Sequence, residues 1–387
     1  MSDPPRFPVS LLTQSKADRL SYFKRYTIAH PLLKRVDERL NRAIKGEAGA
    51  KLIFVYGPTG VGKSTLMERV VARLSQESLP ETESHRLPVL KLEAAAPEYG
   101  NFHWGHFFRQ ALIELETPFL KERMEYSDSP VYFDRAGNLK IGSRPPVQEL
   151  RDAVEKALRY RRPKALIIDE AQHLAKISSG RKLLDQMDAL KSLANRSNTL
   201  LVLIGTYELL NFHQLSGQLS RRSIELHFPR YGTNSGDLKA FQSIVYGFQR
   251  QMPVVKEPEL LRHWEDLYLR SMGCVGILKD WLVRALNESY ENGEKTVTQK
   301  TIRGCALSVY QCEQIAAEMI AGEERLTENP ERDDRRLSQM PGLAGRVKGD
   351  QASPSMNTAN QLEKAPELKP PLKRQVGRRK PKRDEVP

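Results

Sequence analysis

The sequence has little of what would set it outside the ordinary globular classes. Cysteine is scarce: 3 in 387 residues, Cys274, Cys305 and Cys312, with no close CxxC pair. That argues against a disulfide framework or a cysteine-held zinc, and the expectation is reduced thiols in a cytoplasmic protein. No apolar run approaches the roughly 20 residues that a membrane helix needs, so no membrane partner is expected. The opening MSDPPRFPVSLL reads as too polar and proline-rich for a secretory signal. Acidic residues are the scarcer sign, 48 Asp and Glu against 61 Lys and Arg, which leaves +13. From Thr327 onward 14 basic residues face 9 acidic ones, a surplus of 5, so the body before it keeps +8. A basic body favours a polyanionic partner, nucleic acid first.

What is there is an alternation of short apolar runs and longer amphipathic ones. A lead-in over 1–49 contains HPLLKRVDERLNRAIKG, where Leu33, Val36, Leu40 and Ile44 fall at helical spacing and Gly46 supplies a stop. Five runs read as strands: KLIFVY, LPVLKLEA, KALIIDE, TLLVLIGTYE and RRSIELHF. Between them STLMERVVARLSQ, NFHWGHFFRQALIEL, VQELRDAVEKALRYRR and GRKLLDQMDALKSLANRS read as helices. This alternation predicts an α/β fold with a parallel sheet over 50–235. The periodicity lapses over about 117–146, which reads as a surface insertion with hairpin punctuation at Ala136-Gly137-Asn138. Residues 236–322 are almost wholly helical in pattern, like a small lid after the core. Residues 323–387 lose apolar periodicity and read as a disordered tail ending in the basic KPPLKRQVGRRKPKR.

Chemistry concentrates in two places. Gly57, Pro58, Thr59, Gly60, Val61, Gly62, Lys63 and Ser64, followed by Thr65, fit the phosphate-loop pattern GxxxxGK[ST] in full, between a strand and a helix. Glycines let backbone N–H groups wrap the phosphates, and the helix N-terminus adds a favourable dipole. Lys63 is placed to reach the β- and γ-phosphates, and the Ser64 hydroxyl to sit on Mg²⁺. The strand ALIID then ends in Asp169 and Glu170. Asp169 would hold Mg²⁺ and Glu170 would act as general base on the attacking water. A small-molecule kinase has no need of a water-activating glutamate, so the pair points to an ATPase using ATP and Mg²⁺. Thr206, at the end of the fourth strand, would touch the γ-phosphate or the water, or simply end the strand. Arg221 and Arg222, before the fifth strand, would serve as an arginine finger on a neighbouring copy's nucleotide, or as solvated loop residues. Arg109, Lys121, Arg123, Arg181 and Lys182 are candidate DNA contacts or plain surface. His103 and His106 have HxxH spacing, but no carboxylate or cysteine nearby completes a metal site, which leaves packing or helix capping.

These residues resemble the AAA+ ATPases and, within them, the TniB/TnsC-type transposition regulators. The resemblance runs from about Tyr22 to Ala321 and rests on YTIAHPLLKRVDERL, GPTGVGKST, LIIDEAQHL, LKSLANRSNTLLVLIGTYE, LSRRSIELHFPRY and SMGCVGILKDWL. The phosphate loop and DEAQHL are widespread; the AHP lead-in, the LKxLxN helix and the GxxGxL lid turn discriminate. Matched by distance to Phe228-Pro229, the family's arginine falls on Arg222, followed here by Ser223 rather than an aromatic. At the lid turn Lys279 stands where many relatives carry a sensor arginine, and it would supply charge to the nucleotide without bidentate geometry.

The resemblance implies a fold, a P-loop AAA+ parallel sheet flanked by helices and followed by a helical lid. It also implies a role: ATP bound between adjacent subunits, rings or helical filaments on duplex DNA, presentation to a transposase, loading by a target-selection protein of the TniQ type, and disassembly on hydrolysis. The setting implied is the prokaryotic cytoplasm, on the nucleoid when bound to DNA, with turnover stimulated by DNA or a partner. Two other readings stay open on the sequence: a related loader or secretion ATPase, and a nucleotide-switched scaffold that does not hydrolyse.

Overall fold

In the computed structural model the described residues are 5–46, 50–77, 86–97, 102–116, 131–133, 139–141, 146–175, 180–213 and 223–326. Five strands form one sheet: β1 (Leu52–Tyr56), β2 (Leu90–Glu93), β5 (Ala165–Asp169), β6 (Leu200–Gly205) and β7 (Ser223–His227). Their order is β2-β5-β6-β1-β7 and every pairing is parallel. All five expected strands are present. The three inner strands β1, β5 and β6 are buried at every residue, as a sheet covered on both faces requires, whereas β2 at one edge alternates buried and exposed.

Strand alternation divides the core in two. Ile53, Val55, Ile167, Val202 and Ile204 point to one face, where they meet α2 (Pro31–Ile44) and α3 (Lys63–Gln76). Phe54, Tyr56, Leu166, Ile168, Leu201 and Leu203 point to the other, against α4 (Trp104–Glu116), α5 (Val147–Arg161) and α6 (Gly180–Ser197). The short strands β3 (Val131–Phe133) and β4 (Leu139–Ile141) pair antiparallel, and the punctuation expected at Ala136-Gly137-Asn138 lies outside the described residues.

The lead-in holds more than the one expected helix. α1 (Lys16–Arg25) precedes α2, started by Ser15, whose hydroxyl accepts from the Asp18 N–H. Its sequence KADRLSYFKR is mostly polar and buries only Phe23 fully, so periodicity gave no signal. α2 begins at the AHP stretch for a local reason. His30 is the N-cap, Pro31 takes the first helical position, and His30 Nδ1 accepts from the Leu33 N–H at 3.3 Å.

After β6 comes α7 (Leu210–His213), and after β7 come α8 (Ser235–Gln251), α9 (Trp264–Ser271), α10 (Val275–Glu291), α11 (Gln299–Gly304) and α12 (Val309–Glu324). The last helical stretch, expected as one, is broken into α11 and α12. Ser308 restarts it with a capping box in which Gln311 reciprocates. Trp281 of α10 is buried and donates its indole N–H to the Ile302 carbonyl at 2.7 Å, fixing α11. The tail from Thr327, together with Arg221, Arg222, Lys121 and Arg123, lies outside the described residues.

Candidate functional site at the carboxyl ends of three strands

β5, β6 and β1 are neighbours in the sheet, and the loop that follows each carries one of the expected groups. Ligand sites of open α/β sheets lie at such carboxyl ends. The phosphate loop follows β1, the acid pair ends β5, and Thr206 follows β6, whose last residue Gly205 accepts the Gly57 N–H at 3.3 Å.

The loop's geometry depends on its glycines. Gly60 and Gly62 have φ of 74° and 111°, values that favour glycine. Gly62 is the N-cap of α3 and has no side chain with which to cap it, so first-turn N–H groups are left for an anion. Lys63 is buried, and its ammonium donates to the carbonyls of Gly57 at 3.0 Å and Pro58 at 2.8 Å. Burial pushes Lys63 down to about 8, against the pull of the Glu170 and Asp169 carboxylates. Ser64 and Thr59 are exposed at the mouth of the loop.

The Asp169 carboxyl is raised above the usual carboxylate range by burial, with Glu170 and Glu93 adding to the rise, while the Glu170 N–H and Lys63 oppose it. Asp169 Oδ1 accepts that N–H at 2.9 Å. Glu170 itself has left-handed backbone, φ 50°, which turns the chain sharply into a short 3-10 helix over Ala171–Ala175. Thr206 is half-buried and borders a cleft of about 290 Å³ with Pro58, Thr59, Gln172 and α12 residues Met319 and Gly322.

The stretches that carried the resemblance meet behind this loop. Tyr231 donates its hydroxyl to His30 Nδ1 at 3.0 Å, and the His30 ring lies against Phe228. Burial, then the Arg69 charge, lowers His30 to about 4, consistent with Nδ1 acting as an acceptor. Phe228 backs the phosphate loop so closely that a Cβ on Gly57 would stand 2.2 Å from its carbonyl oxygen. The lid turn closes the set. Gly273 has φ 73° and a Cβ there would meet the Tyr231 carbonyl at 2.2 Å. Gly276 and Ile277, at the N-terminus of α10, donate their N–H groups to the Gly60 carbonyl at 2.7 and 3.3 Å. The loop carbonyl thus caps α10, whose N-cap Cys274 makes no side-chain cap. Both glycines are required: a Cβ on Gly276 would sit 2.4 Å from the Gly60 oxygen, and one on Gly60 2.4 Å from Ile277.

Residues 46–212 match the family model of the AAA domain. The matched span is the one that holds the phosphate loop, the acid pair and Thr206. Such a domain implies nucleotide binding and ATPase chemistry at the loop just described. Among solved structures, the Aeropyrum pernix ORC1 protein in complex with DNA aligns at 20% identity over 76% of this chain and 68% of its own, with a TM-score of 0.49. The ORC2 protein of the same organism aligns at 16% over 75% and 71%, TM-score 0.44, and a Walker-type ATPase of Pyrococcus abyssi at 18% over 78% and 76%, TM-score 0.40. No curated protein matches the sequence significantly.

Around the phosphate loop the structure corrects one expectation. Lys279 does not face the nucleotide loop. Its ammonium donates to the Phe23 carbonyl and lies 3.5 Å from the Phe23 ring centroid and 4.9 Å from that of Phe248, between α1 and α8. The end of α10 meets Gly60 through its N–H groups, whereas the Lys279 side chain, one turn further along the helix, reaches α1. Arg181 and Lys182 stand in the first turn of α6, within the stretch read as a helix. Arg109 is half-buried on α4 and lines a cavity with Glu93, and His103 and His106 are exposed beside it. Sequence reasoning assigned no role to Gln172, although it lies inside the quoted DEAQHL.

Proposed function

We propose that the protein is an ATP-dependent, DNA-binding regulator of transposition. ATP on the loop Gly57–Ser64 is sandwiched by a second copy, copies assemble on duplex DNA as a ring or helical filament, and hydrolysis takes the assembly apart. The observation that carries the reading is the convergence of loop, acid pair and Thr206 at the ends of three adjacent strands, within the span that matches the AAA domain.

In this reading the loop N–H groups and Lys63 hold the triphosphate, Lys63 exchanging the Gly57 and Pro58 carbonyls for phosphate oxygens. Glu170 accepts the proton of the attacking water, and Thr206 orients the γ-phosphate or that water. The Ser64 hydroxyl and the Asp169 carboxylate would hold Mg²⁺; they are hard oxygen donors, which suit it. When bound, that ion neutralises phosphate charge. Arg222 or Arg221 completes the site from the neighbouring copy, which makes ATP an assembly ligand. A heterologous contact of this kind closes into a ring or runs on as a filament.

The body's +8 supports a sequence-tolerant, salt-sensitive grip on DNA phosphates, with Arg109, Lys121, Arg123, Arg181 and Lys182 as candidates. The transposase and the TniQ-type selector enter through the resemblance of the AHP lead-in and the lid turn, which favour transposition over replication loading or secretion.

The test is electron microscopy of the purified chain with duplex DNA under no nucleotide, ADP and a slowly hydrolysed ATP analogue. DNA-coating assemblies with the analogue alone are expected, and Glu170→Gln should give the same assemblies with ATP itself. Monodisperse particles in all three conditions would overturn the assembly reading.

A further inference from the structure

The acid pair and the end of β6 are joined by a side chain that neither the phosphate loop nor the metal would use. Gln172 is 5% exposed, in the 3-10 turn that follows the left-handed Glu170. Its Nε2 donates to Glu170 Oε2, and its Oε1 accepts the Thr206 N–H at 3.2 Å. The two bonds fix which way the amide points. Flipped, its NH₂ would face the Thr206 N–H and its carbonyl oxygen the Glu170 carboxylate, two repulsions in place of two bonds.

The site is shaped around this amide. Gly205 precedes Thr206, and a Cβ there would lie 2.4 Å from Gln172 Oε1 and 3.2 Å from the Gln172 backbone nitrogen. Only glycine lets the amide come up to β6. Among the described residues the other carboxylate oxygen of Glu170 accepts no hydrogen bond, so one oxygen is held and one is left for a water.

We infer that Gln172 is a positioning residue for hydrolysis: its amide ties the Glu170 carboxylate to the Thr206 peptide, so that a shift at the end of β6 is carried to the base. This rests on the proposed ATPase reading. Thr206 and Gln172 both border the cleft beside Pro58 and Thr59 of the phosphate loop. A change there on nucleotide binding moves a rigid peptide N–H, and the amide passes that movement to a carboxylate two residues before it. A base held within a fraction of an ångström of its productive position is worth far more than one free to rotate. The effect belongs in kcat, because both hydrogen bonds of the Gln172 amide are spent on Glu170 and the Thr206 peptide.

The test uses the full chain with duplex DNA present and compares Gln172→Glu, Gln172→Leu, Glu170→Gln and the double variant Glu170→Gln/Gln172→Leu. Gln172→Glu keeps side-chain length and the acceptor for the Thr206 N–H, which preserves the fold, but turns a carboxylate toward Glu170. The expected result is a fall in kcat of about 10–100-fold for Gln172→Glu and Gln172→Leu, with nucleotide Kd within about threefold of wild type. The double variant should hydrolyse no more slowly than Glu170→Gln alone, because Gln172 acts only through Glu170. Wild-type kcat in folded Gln172→Glu, alongside loss in Glu170→Gln, would overturn this inference alone. So would a further fall in the double variant, or a loss in Kd matching the loss in kcat, either of which marks a merely structural role. A wild-type chain that hydrolyses no ATP would overturn the proposed activity and this inference with it.

Discussion

A buried lysine at the N-terminus of α3 and a half-buried one on α10 show how one side chain serves opposite ends. Lys63 and Lys279 are both pushed down by burial, to about 8 and about 7, and both donate to backbone carbonyls. Their surroundings differ in kind. Lys63 stands beside Glu170 and Asp169, in a loop whose glycines and uncapped helix end suit it to trade carbonyls for a polyanion. Lys279 has the ring faces of Phe23, Phe248 and Tyr26, which favour its charge without offering it for exchange. A buried cation next to carboxylates and a pliant loop is poised for chemistry; one enclosed by rings is held between helices and withheld from exchange.

The comparison breaks most sharply on hydrolysis. Lys63→Gln should lower ATP turnover by about 10²–10³-fold, the loss typical of one transition-state electrostatic group. Lys279→Gln should leave kcat within about threefold, because its ammonium faces α1. Equal losses from the two substitutions, in a steady-state phosphate-release assay, would return Lys279 to the nucleotide.

Next in size is the seam between the two regions, where the Gly60 carbonyl caps α10. Gly276→Ala puts a Cβ 2.4 Å from that oxygen. Overpacking of this kind should cost about 1–3 kcal/mol, read by chemical denaturation. It should also weaken nucleotide binding, because the phosphate loop must shift. Unchanged stability with unchanged Kd would mean that the lid turn and the loop are independent.

Alkaline pH acts on both lysines with the same sign, and on Lys279 from the lower value. The ordinary value for Lys279 is 10.5 and its folded value about 7. Below pH 7 both native and unfolded chains hold the proton and the burial cost is felt in full. As pH rises from 7 toward 10.5 the native state releases the proton first, so stability climbs across that window. Lys279→Met should be the more stable protein near pH 7 and should show a flatter rise in thermal midpoint between pH 7 and 9.

The smallest effect sharpens the comparison with a buried base that has no charge to keep. His30 falls from 6.5 to about 4, so as pH drops through that window the unfolded chain gains a proton that the native chain refuses, and stability is lost. His30→Asn retains a helix cap and should cost about 1 kcal/mol or less at pH 7 while removing part of the acid slope. An unchanged acid slope in urea titrations at pH 4 to 7 would show that His30 takes up a proton without unfolding.

The chain order of apolar runs determined a great deal by itself. β1, β5 and β6 read as fully buried strands because each is a short unbroken apolar run, and the phosphate loop and acid pair are contiguous strings whose chemistry is local. α2, α3 and α6 follow from periodicity, α2 with a cap as well. What only tertiary structure decided is everything set by approach between distant segments: the destination of Lys279, the Gly60 carbonyl capping α10, His30 under Tyr231, and Gln172 spanning two strand ends. A one-dimensional pattern records which residues are apolar and at what spacing. It carries no record of which carbonyl a helix end will meet, because that depends on close packing between surfaces far apart in the chain.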